Sequence, residues 1–357
     1  LFRSYKALLK ADSLGKLTAI GKDVKRQGEL IIKESEGRWG DLTRLGKQQH
    51  RGIARRMMFR YPEIFEGKAH VDAKSTTVIR CILSMGSAVQ AMKSKNPKLQ
   101  VRMDASAHDM WYMNHQDKQL RDSMETPATK KAFDEYCKHR NAHPLLMEQL
   151  FNDSVYVKEH VDMKWFSYYL LKTALIQQNT STGSKIDYLD LFSYEEIHQF
   201  WQQENAWWYF TYGPSLLNGG KEPYTQRFLL RRIIEEADSC IQLRKPGAQL
   251  RFGHETVLLP LTCLLELNHF GYQTLDLDEL EGHGWWACMV FPMASNIQFV
   301  FYRSDVADKD VLVKVLLNEE EATLPLQSET APYYKWSDVR AYYLAKIDRY
   351  EQERQKK

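Results

Sequence analysis

Twice along the chain a short apolar strand runs directly into a helical pattern, and these two junctions limit the available folds more than any other feature. The first strand is Ala69 to Asp72. Ser75 and Thr76 start the helix expected behind it, which carries Val78, Ile79, Ile82, Leu83 and Met85 on its apolar face. The second strand is Ala248 to Arg251; Gly253 permits a tight turn, and a helix is expected over Thr256 to Leu267. Strands that alternate with helices pack as a parallel sheet covered by those helices. Further strands are expected at Leu99 to Met103, Ala287 to Phe291, Asn296 to Arg303 and Asp310 to Leu317, the second and third of these joined by a tight turn. A last helix is expected over Trp336 to about Glu353.

Residues 105–240 differ from this pattern. They are rich in Tyr, Trp, His, Met and Gln, with helical rather than alternating periodicity, and with loops at Ser181 to Ser184 and Gly219 to Gly220. The expected fold class is therefore α/β: a mostly parallel central sheet with helices on both faces, plus an inserted all-helical cap. Residues 1–104 and 241–357 form the core domain in this reading, and residues 105–240 form the cap. In open sheets of this kind ligands sit at the carboxyl ends of the strands.

Two helices precede the first strand, one over Lys22 to Glu34 and ended by Gly37, the other from Thr43 to about Phe59 with Pro62 beyond it. A short repeat, GxLTx[IL]G, at Gly15 to Gly21 and Gly40 to Gly46 marks the start of each. Seven residues are too few for a solenoid unit, and the repeat reads as two similar helix starts with Thr as N-cap.

Composition bounds the function. A length of 357 residues means two domains or one large domain with an insertion, and a hydrophobic share of 43% is enough for a sizeable core. The net charge of +3 gives no bulk reason to expect nucleic acid as a partner, so anion binding must come from locally placed Arg, Lys and His. No run approaches the roughly 18 apolar residues of a membrane helix, and the stretch from Val257 to Leu267 is broken by Pro260 and Glu266. The chain starts at Leu1 in a mixed polar segment without a signal-peptide pattern, as a processed or trimmed product would. None of the five cysteines forms a CxxC pair, which excludes zinc-ribbon and thioredoxin-like readings. Cys81 and Cys263 sit in apolar helical patterns as buried thiols, whereas a Cys137–Cys240 pairing stays open.

The chemistry is expected at the two junctions. Arg80 lies in the first turns of a helix that follows a strand, where free backbone N–H groups attract anions and a guanidinium adds a planar fork matched to phosphate oxygens. The same position also suits a solvated Arg on an amphipathic helix. His254 and Glu255 lie at the second junction; a His there can hold a phosphate oxygen, and an adjacent carboxyl can protonate a leaving alkoxide. A capping or core histidine and a dipole-stabilising carboxylate are the alternatives. His139 and His143 have i, i+4 spacing, but Pro144 follows and no third ligand is evident, so no metal site is expected. Trp207, Trp208, Tyr209 and Tyr212 read as packing between cap helices or as a pocket wall. Arg227, Arg231, Arg232, Lys221 and Arg244 read as contacts for a highly charged substrate or as a solvated face.

Three segments resemble successive landmarks of the histidine phosphatase superfamily, in its acid phosphatase and phytase branch: GDLTRLGKQQHRGIARRM from Gly40, KSTTVIRCILSMGSAVQAM from Lys74 and LRFGHETVLLPL from Leu250. With PMASNIQFVFYR from Pro292 to Arg303, the chain is most similar to bacterial multiple inositol polyphosphate phosphatases. The resemblance implies a secreted or periplasmic enzyme that hydrolyses phosphate monoesters, such as inositol polyphosphates, through a phosphohistidine and without a cofactor. Its partner is a small phosphorylated molecule, not nucleic acid or a membrane. By the same resemblance Arg80 and His254 bind the phosphoryl group, and Glu255, often Asp in relatives, donates the proton to the leaving oxygen. The family's nucleophile lies in an RHGxR motif, and no Arg-His-Gly tripeptide occurs in this chain. His50-Arg51-Gly52 has the wrong order and falls within a helix, so it reads as an ordinary helical surface; the RHGxR strand is expected upstream of Leu1. A catalytically inactive relative that binds phosphorylated ligands, and a phosphotransferase or mutase, are the alternatives.

Overall fold

The computed structural model describes all residues except 1, 116, 125, 141–143, 182–186, 244, 306, 309–310 and 357. In chain order the elements used below are α1 (Phe2–Ser13), α2 (Ala19–Ser35), α3 (Arg44–Arg60), β1 (His70–Ser75), α4 (Ile79–Lys95), β2 (Gln100–Asp104), α5 (Met163–Ile176), α6 (Tyr194–Tyr212), α7 (Arg227–Ile241), β3 (Gly247–Phe252), α8 (Glu255–Leu264), β4 (Ile297–Tyr302), β5 (Leu312–Leu317), β6 (Glu320–Ala322), β7 (Tyr334–Lys335) and α9 (Trp336–Gln355).

The chain forms two compact units, Leu1–Leu45 with Ala132–Glu204, and Gly46–Lys131 with Asn205–Lys357. These units divide the chain differently from a 105–240 insertion in a 1–104 and 241–357 core. The amphipathic faces of α1 and α2 are covered by residues after 145, so the two helices belong with part of the middle segment. Leu8, Val24 and Ile31 share one core with Leu146, Leu150, Phe166, Leu170 and Tyr188. The first copy of the short repeat is a helix start, as expected: Thr18 is the N-cap of α2, and its Oγ1 accepts from the Gly21 N–H at 3.0 Å. Gly15 and Gly40, which open the two copies, both have positive φ. Gly21 is required for another reason, since a side chain there would collide with the Leu150 carbonyl.

In the second unit β1 is the central strand of a three-stranded parallel sheet of order β2-β1-β3. Its alternation sorts the two faces. Val71, Ala73 and Ser75 are buried, Val71 packing with Met92 and Ala88 of α4 and with Ala54 and Met58 of α3. Asp72 and Lys74 point the other way, where Arg251 of β3 bonds Asp72 at 3.3 Å and Glu236 of α7 at 2.6 Å. Helices therefore cover both faces of this sheet. α4 approaches it closely because its buried positions are small, with Cys81, Ser84, Ser87, Ala88 and Ala91 among them. The helix carries Lys93 and Lys95 in its last turn and ends at Asn96, whose side chain donates to the Phe65 carbonyl at 2.7 Å, with Pro97 beyond.

The parallel sheet is smaller than the expected one. β4, β5, β6 and β7 form a separate antiparallel sheet with β5 at its centre. The strand expected at Ala287 to Phe291 is a short helix, Ala287–Val290, closed by the Phe291 N–H on the Ala287 carbonyl at 3.2 Å. Ala287 and Val290, three positions apart, are buried while Cys288 and Met289 between them are exposed, the spacing of a helical face rather than of a strand. Ser75 and Thr76 do not start α4 either: Ser75 ends β1, Thr76 lies in the turn, and the N-cap is Val78. The helix expected over Thr256 to Leu267 ends at Leu264 and tolerates Pro260 inside it. Among the described residues no helix is long and apolar enough to cross a membrane.

Candidate active site

β1 and β3 are neighbours in parallel register, with Ser75 opposite Phe252. Their carboxyl ends are therefore level, and the two strand-to-helix turns begin side by side. One further bond continues the ladder, from the Thr76 N–H to the Phe252 carbonyl at 3.0 Å. From this base each turn delivers one residue of interest. Arg80 is the second residue of α4 and is exposed. His254 is the N-cap of α8, half-buried, and Glu255 is the first residue of that helix and exposed.

The two turns bring the side chains together. Arg80 Nη2 lies 3.5 Å from His254 Nδ1. On the other side of the ring, Nε2 lies 3.2 Å from Thr76 Oγ1. Cys81 is beneath them, donating from Sγ to the Gly253 carbonyl at 3.2 Å and lying 3.8 Å from His254 Nδ1. The His254 imidazole is held below its ordinary pKa, first by burial and then by the Arg80 charge, with Glu255 opposing. Burial pushes the Cys81 thiol up, so it stays a protonated, weakly nucleophilic group.

Such an arrangement suits an anion. A neutral imidazole and a guanidinium meet at the carboxyl ends of two parallel strands, where two helices start, and each can donate to a phosphoryl oxygen. Glu255 is the carboxyl next to them in sequence. The structure thus brings Arg80 and His254 together and sets Glu255 on the turn that carries His254. Thr76 and Cys81 complete the cluster. In the sequence Ser75-Thr76 read as a helix start and as part of the segment that carries the family resemblance, but not as a neighbour of His254, because Thr76 and His254 lie 178 positions apart.

Other residues singled out in the sequence have structural partners. Arg227, only 5% exposed, reaches Asp117 at 2.9 Å, Arg231 reaches Asp348 at 2.6 Å, and Arg232 reaches Glu236 at 3.0 Å. Tyr209 is fully buried and packs on Trp285, and Trp208 packs on Phe291, so these rings form core between elements. His50 is not an ordinary surface residue: it is half-buried, and its ring meets Phe252 edge-on with centroids 6.1 Å apart. Cys81 and Cys263 are buried thiols as expected, and Cys240 is a free thiol, so a Cys137–Cys240 bridge does not form. His143 and Arg244 lie outside the described residues. A cavity of about 480 Å³ lies away from the strand ends, on the polar sheet face under α7, between residues such as Asp72, Arg102, Arg232 and Glu235.

A family model, the histidine phosphatase superfamily (branch 2), matches residues 10–318. No curated protein matches the sequence. Among solved structures, the Bifidobacterium longum multiple inositol polyphosphate phosphatase in complex with phosphate aligns at a TM-score of 0.79 and 16% identity, covering 96% of this chain and 89% of that one. The same protein in complex with inositol hexasulfate aligns at 0.76 and 16%, covering 94% and 87%. The phytase from D. castellii aligns at 0.56 and 12%, covering 84% and 64%. At these identities the structural likenesses speak for the fold.

Proposed function

We propose that this chain, which belongs to the histidine phosphatase superfamily (branch 2), hydrolyses phosphate monoesters, with inositol polyphosphates as its substrate class. The observation that carries the reading is the placement of Arg80 and His254, 3.5 Å apart at the level ends of two parallel strands. The structural neighbours, an inositol polyphosphate phosphatase and a phytase, support the same substrate class.

In this reading the phosphoryl group sits over the starts of α4 and α8. Arg80 and His254 donate to its equatorial oxygens, whose charge must be neutralised in phosphoryl transfer. Glu255 protonates the oxygen of the departing alcohol and then takes a proton from the attacking water. The covalent route through a phosphohistidine divides one difficult displacement into two easier ones. Its nucleophile would come from an RHGxR sequence outside these 357 residues, in which the tripeptide does not occur. Export to the periplasm or the medium belongs to the same proposal.

The substrate class is tested by comparing phosphate release from inositol hexakisphosphate, glycerol phosphate and an aryl phosphate. A kcat/KM highest for the inositol ester supports the class. Equal values for all three restrict the reading to a general phosphomonoesterase.

A further inference from the structure

We infer that Thr76 is a positioning residue for His254, and that its hydroxyl allows the ring to carry its proton on Nε2 in the free protein and on Nδ1 when a phosphoryl group is bound. This rests on the phosphatase reading of the site. Thr76 is fully buried. Its backbone N–H holds the Phe252 carbonyl at 3.0 Å, and its Oγ1 lies 3.2 Å from His254 Nε2. Phe252 is two residues before His254, so both ends of this hydrogen bond hang from one pair of strands, and the ring has little freedom to turn.

The proton's place in the free protein follows from the neighbours of Nδ1. Arg80 Nη2 is 3.5 Å away, and a guanidinium only donates. The other neighbour, Cys81 Sγ, donates to the Gly253 carbonyl at 3.2 Å. Nδ1 therefore presents its lone pair to Arg80. A neutral ring then carries its hydrogen on Nε2 and donates it to Thr76 Oγ1. Burial and the Arg80 charge both favour the neutral ring.

A phosphoryl oxygen beside Arg80 reverses the demand at Nδ1. That oxygen accepts, so Nδ1 must donate. One proton leaves Nε2 and one arrives at Nδ1, with water as the carrier, so the ring gains and loses nothing overall. Nε2 is then an acceptor, and the Thr76 hydroxyl turns to donate into it. A hydroxyl serves both states because it has one donor and two lone pairs. A carboxylate in its place would hold the proton on Nε2, and an apolar side chain would leave Nε2 unsatisfied in either state.

The test is long-range ¹H–¹⁵N NMR of the His254 ring in the full chain, free and titrated with inorganic phosphate. The expected result is an Nε2–H ring alone and an Nδ1–H ring with phosphate. An Nδ1–H ring in the free protein overturns the inference, as does a ring protonated on both nitrogens in the complex. If the Arg80 side-chain signals move with phosphate while the His254 tautomer does not, the inference fails and the phosphate site stands. If neither responds, the site assignment fails and the inference with it. Thr76→Val is expected to weaken phosphate binding by about tenfold, the loss of roughly one buried hydrogen bond, whereas Thr76→Ser, which keeps the hydroxyl, stays within about twofold of the parent. Parent-like affinity in Thr76→Val overturns the inference. If that variant does not fold, the NMR titration of the parent and of Thr76→Ser decides it.

Discussion

Arg80 Nη2 lies 3.5 Å from His254 Nδ1 although the residues are 174 positions apart in the chain. The proximity has a simple cause. Each residue follows a parallel strand by a few positions, and the strands are paired so that their last residues, Ser75 and Phe252, are opposite one another. The polar cluster is thus set by sheet register, with Arg80 exposed and His254 half-buried for a ligand to reach.

Arg80→Ala is expected to lower phosphate release by about 10²-fold or more, the usual cost of removing one donor from a developing oxyanion. Because Arg80 is exposed, the unfolding free energy should change by no more than the ~0.5 kcal/mol typical of surface substitutions. A normal rate in this variant would remove Arg80 from the site.

Glu255→Gln separates the proton-donor role from a merely electrostatic one. A general acid matters most when the leaving group is poor. The variant should slow hydrolysis of an inositol phosphate by about 10²-fold and affect an aryl phosphate, which leaves readily without a proton, far less. Equal loss on both substrates would contradict the assignment.

The depressed His254 pKa makes a statement about stability. Between that depressed value and the ordinary value near 6.5 the unfolded chain binds the proton and the folded one does not, so stability is full above about 6.5 and is lost as the pH falls through this window. His254→Gln should flatten the fall of the thermal midpoint below neutrality. Part of the slope remains, because burial also lowers the pKa of His50 and of His115. A slope identical to the parent's would mean that His254 is not held neutral by its surroundings.

Asp117 is the keystone of a buried charge network. It accepts from Arg227 at 2.9 Å, from Arg354 at 2.7 Å and from the Leu120 N–H at 3.1 Å. Burial alone would raise its pKa, but these bonds outweigh that and hold it low. Asp117→Ala leaves the buried Arg227 without its shortest ion pair and should cost about 3 kcal/mol in denaturant unfolding. A loss under about 1 kcal/mol would place the network among the weak surface pairs.

The parts of the fold that were legible in the sequence are those set by local pattern. The strands at His70–Ser75, Gln100–Asp104 and Gly247–Phe252 and the helices after two of them announce themselves through apolar runs, Gly253 and helical spacing. Residues 75 to 80 and 250 to 255 were therefore readable as candidate sites. What local pattern does not carry is register, and hence the identity of Thr76 and Cys81 as neighbours of His254. It also does not tell a short helix from a short strand within an apolar run, as at Ala287–Val290. For Arg227 and Tyr209 the choice between a ligand contact and a structural role stays open in the sequence, because Asp117 and Thr274, which engage them, are far away along the chain. The grouping of α1 and α2 with residues after 132 likewise depends on which apolar faces meet, and helical periodicity is silent on that.

The most direct test of the phosphatase reading is inorganic phosphate release from inositol hexakisphosphate by the intact protein, from acidic to neutral pH. The account predicts steady release that is lost in Arg80→Ala. No release from this ester or from an aryl phosphate, together with thermal stabilisation by the ligand, would contradict it and leave a binding protein built on a phosphatase fold.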